Sequence, residues 1–392
     1  MSDATPIKSQ SRKPRTLILS LRNIFRNDLF RCALYEFEDI IKDIDHAEIF
    51  APEGDPTSRR NQLARRLAFH APITLKADLQ KPKVNNHYDL FLATCGGPRD
   101  LMMIDAVSYL RDGCTTKVCL IEEVWAKQIH KHRYFLDVLR KFDLIATYCS
   151  QSVKALSERI GRKCIFVPPG IDSIRFCPYP ANPARAVDVY SMGRRSPATH
   201  QALLKMVEER GIFYLYDSTE GNEAIHPINP VEHRSLFANI AKRSKYFIVN
   251  PGLIDRPDIR GSQIEFGSRY FEGVAAGVIM VGEIPNNGEF ERLFDWPDAV
   301  VPLPFGSDRI AALINELEGQ QEKQERIRRM NVVEALARHD WAYRWEKILE
   351  NVGLGPMPEL LQRKERLANL AKVVTPHGLA GMSGTKPPAI LP

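Results

Sequence analysis

The chain has 392 residues, of which 44% are hydrophobic and 26% are charged, and its formal net charge is +6. This length exceeds one ordinary hydrophobic core and predicts two domains of a soluble globular protein. No apolar run reaches the roughly 18 residues of a membrane span, and the polar, basic start MSDATPIKSQSRKPR argues against a secretory signal. The positive charge favours an anionic partner, which leaves nucleic acid, a phosphorylated small molecule and an anionic membrane surface open.

Cysteine and histidine spacing argues against disulfides and metal sites. The seven cysteines are scattered between Cys32 and Cys177 without a CxxC pair, as is typical of reduced thiols in the cytoplasm. Two histidines in HKHR, at positions 130 and 132, would point to different sides of a helix. We therefore expect a cytoplasmic protein that binds no metal.

The first half of the chain alternates short apolar runs with helix-length segments. A polar arm at residues 1–13, expected to be disordered, precedes them. Strands are predicted at residues 16–21, 47–52, 89–95, 117–124, 142–149 and 163–170. Continuous apolar strands separated by helices indicate a parallel sheet covered on both faces.

The same pattern begins again after residues 177–188, which are rich in Pro and Ala and are predicted to form a linker. Strands are predicted at residues 187–192, 211–216, 245–250, 277–282 and 299–304. A charged helix is expected at residues 309–338, followed by helices at 339–352 and 359–372 and a mobile Pro/Gly-rich tail.

These patterns predict an α/β fold of two doubly wound, Rossmann-like domains that face a cleft. The predicted domains are residues 14–180 and 181–338, then helices at 339–372 that return to the first domain, and a flexible tail at 373–392. In such sheets ligands bind at the carboxyl ends of the strands, so we look for functional residues there.

Candidates in the first domain follow two of its strands. In ATCGGPRD, Gly96 and Gly97 would allow close approach of a ligand, although the loop is not a GxGxxG fingerprint. In LIEEVW, Glu122 and Glu123 are candidate catalytic carboxylates that could orient an acceptor hydroxyl, and Trp125 could stack on a sugar. The alternative is an acidic helix start with a packed tryptophan.

Candidates in the second domain suit an anion. Gly193, Arg194 and Arg195 follow a strand in YSMGRRS, and arginine forks bind phosphate well; the alternative is a solvated basic turn.

A second group lies in GSRYFEG, where a helix is predicted to begin near Ser268. Gly267, Ser268 and Arg269 would surround its positive end, and Glu272 could accept hydrogen bonds from hydroxyl groups just beyond the phosphates. The alternative is a surface pair between Arg269 and Glu272.

A family resemblance favours the ligand-binding interpretation. EFGSRYFEGVAAGVIMVGE resembles the donor-site signature of retaining glycosyltransferases related to glycogen and sucrose synthases, and is closer to their spore-coat-type branch with Arg-x-Phe-Glu. In that family the glutamate matching Glu272 holds the nucleotide ribose, and the loop matching YSMGRRS faces the donor phosphates. The family's earlier acidic residue falls at Ile264 here, with Glu265 displaced by one.

Two further stretches resemble the same family. VPPGIDSIRFCP is similar to the turn that leaves the first domain, where we expect Gly170 to permit the turn and Asp172 to cap the chain beyond it. HDWAYRWEKIL resembles the closing helix, in which Trp341 and Trp345 can share one face and anchor the helix on the first domain.

The resemblance implies a GT-B-type, metal-independent glycosyltransferase that needs no cofactor. It would move a sugar, with retention, from a UDP- or GDP-sugar to a glycan or lipid-linked acceptor in surface glycan or glycoconjugate synthesis. Nucleic acid is not expected as a partner, and contact with the inner membrane face stays open. Two alternatives remain, namely a nucleotide-sugar 2-epimerase and a non-catalytic nucleotide- or sugar-binding protein of the same fold.

Overall fold

The computed structural model describes residues 14–25, 28–55, 58–63, 79, 87–131, 133–217 and 229–375. Within these ranges the chain forms two parallel β-sheets with helices packed on them. The prediction of a mixed α/β fold with two parallel sheets is therefore confirmed. The expectations for the arm at residues 1–13 and for the tail from residue 376 onward lie outside the described residues.

The first sheet has six parallel strands in the order β2-β1-β3-β4-β5-β6. They are β1 (Thr16–Leu19), β2 (Ala47–Phe50), β3 (Tyr88–Cys95), β4 (Cys114–Ile121), β5 (Leu144–Thr147) and β6 (Lys163–Phe166). The connecting helices include α1 (Cys32–Ile44), α2 (Leu101–Ala106), α3 (Arg133–Leu139) and α4 (Val153–Ile160). Both faces of this sheet are buried, since Leu17 and Leu19 belong to one apolar cluster and Ile18 to another.

The second sheet has five parallel strands in the order β11-β10-β9-β7-β8. They are β7 (Val187–Ser191), β8 (Tyr214–Tyr216), β9 (Ser244–Val249), β10 (Ile279–Gly282) and β11 (Val301–Pro302). Its helices are α5 (Ser173–Phe176) at the junction, α6 (Pro197–Arg210), α7 (Pro230–Lys242), α8 (Pro257–Arg260), α9 (Ser268–Ala275), α10 (Gly288–Leu293), α11 (Ile310–Glu318) and α12 (Gln321–Arg338).

The single charged helix predicted at residues 309–338 is in fact the helix pair α11 and α12. The break follows Glu318, because Gly319 ends α11 and the Gln320 N–H turns back to the Leu317 carbonyl at 2.9 Å. The two helices pack on different neighbours, α11 on α6 and α12 on α9, which one straight helix would not permit.

The last described helices are α13 (Trp341–Asn351) and α14 (Pro358–Val374). Although α13 follows the second domain in sequence, it packs on α1 of the first domain. Trp341 and Trp345 are both fully buried, and their ring centroids lie 4.7 and 6.4 Å from that of Phe37. Helix α13 therefore joins the apolar core of the domain where the chain began.

The turn before α5 shows how this packing constrains the sequence. A Cβ atom added to Gly170 would lie 2.4 Å from the indole ring of Trp341, so the glycine is required for the contact with α13. The expected cap is confirmed, because the Asp172 carboxylate accepts the Arg175 N–H at 3.2 Å.

We predict that removing α13 and α14 prevents stable folding. A chain ending at Arg338 would expose the apolar surface that Trp341 and Trp345 cover, so it should aggregate or melt far below the full chain. A chain ending at Thr375 keeps both helices and should melt within a few degrees of the full chain. A soluble chain ending at Arg338 with an unchanged melting temperature would contradict this role for α13.

Candidate functional site

The carboxyl ends of the two sheets face each other where the domains meet, and we call the region between them the cleft. In the first domain β3 leads into Gly96, and β4, its neighbour, leads into Glu122. In the second domain β7 leads into Gly193. The domains touch beside these ends, where the Ala126 N–H donates to Gln263 Oε1 at 2.8 Å. Candidate residues from both domains therefore border this cleft.

Glu272 lies in a buried ion-pair network that crosses between the domains. Its Oε1 atom is 2.5 Å from Arg234 Nη1, and its Oε2 atom accepts a hydrogen bond from Arg269. Arg234 also binds Glu36 of helix α1, with Nε 2.9 Å from Oε2 and Nη2 3.3 Å from Oε1. Because Glu272 is completely buried, the surface-pair interpretation of Arg269 and Glu272 is wrong.

The arginines determine the charge of Glu272. Burial alone would raise the pKa of this carboxyl, but the positive charges of Arg269 and Arg234 outweigh burial and lower it. Burial likewise acts to lower the pKa of Arg234, but Glu36 and Glu272 raise it. Glu272 and Arg234 therefore stay ionised around neutral pH.

Glu36 extends this network into the domain junction and the C-terminal helices. Its carboxylate accepts hydrogen bonds from Trp341 Nε1 at 3.0 Å, from the Asp172 N–H at 2.9 Å and from Arg175 Nη1 at 3.3 Å. One carboxylate thus links α1, the turn before α5, helix α13 and, through Arg234, the second domain.

We predict that Arg234→Met is strongly destabilising. It leaves Glu36 and Glu272 buried without their shared cation, and breaking a buried ion pair typically costs about 3–5 kcal/mol. Chemical denaturation should show this loss in the free energy of unfolding. Arg256→Met is the matched control, because Arg256 pairs with the exposed Asp258 on the surface and its replacement should leave stability unchanged. Equal stability of the two variants would contradict a structural role for the network.

Helix α9 begins at Ser268, as the sequence predicts, and its positive end is open. Gly267 precedes the helix, and no side chain among the described residues caps it. An added Cβ atom at Gly267 would meet nothing within 4 Å. The Arg269 side chain is 29% exposed and covers the ring of Phe237 at 4.9 Å. Free N–H groups beside a partly exposed guanidinium are suited to bind an anion.

The two arginines after β7 lie in a loop that begins with a left-handed glycine. Gly193 has φ +86°, a conformation that L side chains rarely adopt. Arg194 Nη1 lies 2.7 Å from Asp255, and Arg195 Nη1 lies 2.5 Å from Asp217. Neither arginine shares a partner with Arg269, so the three predicted phosphate ligands have separate carboxylate partners in this structure.

Glu265, beside the family's acidic position, binds the first domain. Its carboxylate accepts the N–H groups of Ser150 at 3.0 Å and Gln151 at 2.9 Å, and also the Gln263 amide at 2.7 Å. These N–H groups open the turn that leads into α4, so Glu265 acts as a helix cap supplied by the other domain. Sequence reasoning missed this contact, since its partners lie 115 and 114 positions away.

The predicted glycine loop after β3 is occupied by first-domain side chains. The Gly96 N–H donates to Asp100 at 2.7 Å, and Asp100 pairs with Arg31 at 2.5 Å. An added Cβ atom at Gly96 would lie 3.1 Å from the ring of Phe30. Gly97 has an extended backbone that any residue can adopt, with φ −172°. In this structure the loop therefore needs a small residue at Gly96 to accommodate Phe30 and Arg31.

Glu122 has an unusual environment at the end of β4. Its Oε2 atom is buried without a hydrogen-bond partner among the described residues. Burial raises its pKa to about 8; Glu123, Asp100 and Glu272 add to the rise, and Arg31 opposes it. Glu122 is thus mostly protonated at neutral pH and can act as a hydrogen-bond donor as well as an acceptor.

Glu123 and Trp125 complete the predicted first-domain group. Glu123 is exposed at the surface, and desolvation by neighbouring protein atoms raises its pKa, against the effects of Trp125 and Arg194. It accepts a hydrogen bond from Trp125 Nε1 at 3.4 Å. Trp125 is only 7% exposed and packs beside Gly252 of the second domain, so its ring is covered in this arrangement.

We predict that Glu122 makes stability depend on pH. The unfolded chain ionises this group near pH 4.5, whereas the native protein keeps the proton up to about pH 8. The native state therefore binds more protons over this range, and the contribution of Glu122 to stability falls as pH rises from about 5 to about 8. Glu122→Gln removes this effect, so the melting temperature of the variant relative to the wild type should increase with pH. A difference that stays constant over that range would contradict the raised pKa.

The described part of the chain shows no sign of a metal site or a disulfide. Among the described residues, no group of three or more His, Cys, Asp or Glu side chains is arranged to bind a metal ion. All seven cysteines are free thiols. None of the described helices is both long and apolar enough to cross a membrane.

Comparisons with known proteins agree with this architecture. Residues 210–350 match a family described as glycosyl transferase-like. The structure of Anabaena HepE in complex with UDP-glucose has a TM-score of 0.50 and 12% sequence identity, and the match covers 86% of this chain and 99% of HepE. This chain has the GT-B fold.

Two further structures have the same fold. An alpha-glucosyltransferase in complex with UDP and a 13-mer DNA has a TM-score of 0.53 and 12% identity, and the match covers 86% of this chain and 99% of that chain. A UDP-forming alpha,alpha-trehalose-phosphate synthase from Burkholderia vietnamiensis has a TM-score of 0.51 and 9% identity, with the same two coverages, 86% and 99%. No curated protein sequence matches this chain. The spore-coat-type branch stays a prediction.

Proposed function

We propose that this chain is a glycosyltransferase that moves a sugar from a nucleotide-sugar, UDP- or GDP-linked, to an acceptor. The observation that carries this proposal is the match of residues 210–350 to a glycosyl transferase-like family, because that segment contains α9 and its open positive end. HepE, which has the same fold, was solved with UDP-glucose, and this supports a nucleotide-sugar as the substrate.

The donor diphosphate would bind at the start of α9. The N–H groups near Gly267 and Ser268 and the guanidinium of Arg269 would face its negative charge. Arg194 and Arg195 would reach it by leaving Asp255 and Asp217. This positive charge would stabilise the leaving diphosphate as the bond to the sugar breaks, without a metal or another cofactor.

Glu272 would hold the nucleotide ribose through the lone pairs that its two arginines leave free, once donor binding uncovers the carboxylate, which is fully buried in this structure. A carboxylate has about four acceptor sites, and Arg234 and Arg269 each use one. The same two arginines fix the orientation of the carboxylate, so a ribose hydroxyl would meet a preorganised acceptor.

The remaining features of the proposal rest on the family resemblance and on the cleft residues. Transfer would proceed with retention, and Glu122 or Glu123 would orient the acceptor hydroxyl. A glycan or lipid-linked acceptor of surface glycan synthesis suits the positive net charge of the chain. Since the seven thiols are free, we place the reaction in the cytoplasm, at the inner membrane face when the acceptor is lipid-linked.

A panel of nucleoside diphosphates and nucleotide-sugars tests this proposal. Calorimetry should detect binding of one nucleoside diphosphate, and chromatography should detect slow hydrolysis of the corresponding nucleotide-sugar. An epimerised sugar would instead indicate an isomerase, and tight binding without any turnover a binding protein. If none of the UDP and GDP compounds binds, the proposal is wrong.

We predict that Arg269→Gln weakens binding of that nucleoside diphosphate about tenfold to a hundredfold. A hydrogen bond to a charged group contributes about 1.5–3 kcal/mol, and the variant loses the charge at the start of α9. The matched control is Arg256→Gln in the same domain, which should bind as the wild type does. Unchanged affinity of Arg269→Gln in a calorimetric titration would remove Arg269 from the proposed phosphate site.

A further inference from the structure

Two neighbouring residues at the end of the first sheet each have a buried polar atom without a hydrogen-bond partner among the described residues. Strands β4 and β5 pair in parallel with Ile121 opposite Thr147, so the next residues, Glu122 and Tyr148, are neighbours at the cleft. Neither Glu122 Oε2 nor the Tyr148 hydroxyl has a hydrogen-bond partner among the described residues. Tyr148 is only 6% exposed. Buried polar atoms are nearly always paired in folded proteins, so this neighbouring pair has free capacity to bind a ligand.

The other charged groups that affect the pKa of Tyr148, Glu38 and Arg344, already have hydrogen-bond partners. Glu38 accepts a hydrogen bond from Ser20 at 2.5 Å and pairs with Arg22 at 2.8 Å. Arg344 donates to the carbonyl oxygen of Pro169 at 3.0 Å and to that of Arg338 at 2.9 Å. The free hydrogen-bonding capacity at this point therefore belongs to Glu122 and Tyr148.

The chemistry of the two groups selects a neutral ligand. A phenol donates and accepts one hydrogen bond each, and a protonated carboxyl does the same. Burial raises the pKa of Glu122 to about 8, so this carboxyl is largely protonated at neutral pH. Burial is also the main reason why the pKa of Tyr148 is raised, and the nearby Glu122 carboxyl is the second reason. Two neutral groups that both donate and accept complement a hydroxyl group, which also does both, better than they complement a phosphate or a cation.

We propose that Glu122 and Tyr148 together bind a hydroxyl group of a sugar at the floor of the cleft. This inference rests on the proposed function, which supplies two sources of such a hydroxyl, the donor sugar and a carbohydrate acceptor. The pair acts as a specificity-determining site, because a sugar without that hydroxyl would leave both groups unpaired.

Tyr246 provides a control inside the same protein. Its hydroxyl is also buried and without a hydrogen-bond partner among the described residues. Both tyrosines belong to apolar clusters, but Tyr246 lies within β9, whereas Tyr148 follows the carboxyl end of β5. Tyr148→Phe and Tyr246→Phe therefore make the same chemical change at the cleft and away from it. Neither variant should lower the melting temperature, since each removes only an unpaired hydroxyl.

The test compares sugar binding by wild type, Tyr148→Phe, Glu122→Met and Tyr246→Phe. In the donor arm, calorimetry measures the affinity for each nucleotide-sugar of the UDP and GDP panel and for its free nucleoside diphosphate. In the acceptor arm, saturation-transfer NMR measures binding of free glucose, mannose and maltose with the nucleoside diphosphate added. The two cleft variants should weaken sugar binding about two- to tenfold in one arm and leave the free nucleoside diphosphate unaffected.

The arm in which binding is lost shows whether the hydroxyl belongs to the donor sugar or to the acceptor. A loss in the donor arm assigns the hydroxyl to the donor sugar, and a loss confined to the acceptor arm assigns it to the acceptor. The inference is overturned if the cleft variants bind every probe as Tyr246→Phe does, or if the wild type binds no sugar in either arm. Failure of every nucleotide to bind would defeat the proposed function alone, because the free-sugar arm still tests the pair.

Discussion

The arrangement of the two domains depends on the buried ion pairs that Arg234 forms with Glu36 and Glu272. Three charges have been removed from water, and their mutual attraction must repay a desolvation penalty of several kcal/mol for each ion. Such an arrangement tolerates little displacement, because a small shift leaves a buried charge unpaired. The network therefore fixes α1 of the first domain against α7 and α9 of the second, and Trp341 adds helix α13 through its hydrogen bond to Glu36.

This constraint determines the geometry of the cleft. Glu272 lies in the first turns of α9, so the contact that binds the domains together also positions the open end of that helix relative to the first domain. Glu265 adds a second contact from the segment just before α9, on the turn that leads into α4. Residues that match or adjoin donor-binding positions of the family thus also stabilise the contact between the domains. A substitution at either glutamate will affect stability and ligand binding together.

Local patterns in the sequence predicted the features that depend mainly on neighbouring residues, namely strands, helix starts and caps. Apolar runs identified the two parallel sheets, the small and charged residues around Ser268 identified the start of α9, and Asp172 was identified as a cap. The long-range contacts were not predictable in this way. Glu36 and Arg234 are 198 positions apart, and each reads locally as an ordinary charged residue of a helix. Gly170 looks like a turn residue until Trp341, which packs on it, is known. Only the family resemblance marked Glu272 as more than a surface charge.

The central claim is that the donor binds at the start of α9, between two domains whose arrangement is fixed by Arg234. The most direct test is a structure of the protein with the tightest-binding nucleoside diphosphate of the panel. We expect phosphate oxygens within hydrogen-bonding distance of the N–H groups near Ser268 and of the Arg269 guanidinium, with Arg234 still bound to both Glu36 and Glu272. A diphosphate bound instead at the first-domain loop around Gly96, or domains parted at Arg234, would contradict it.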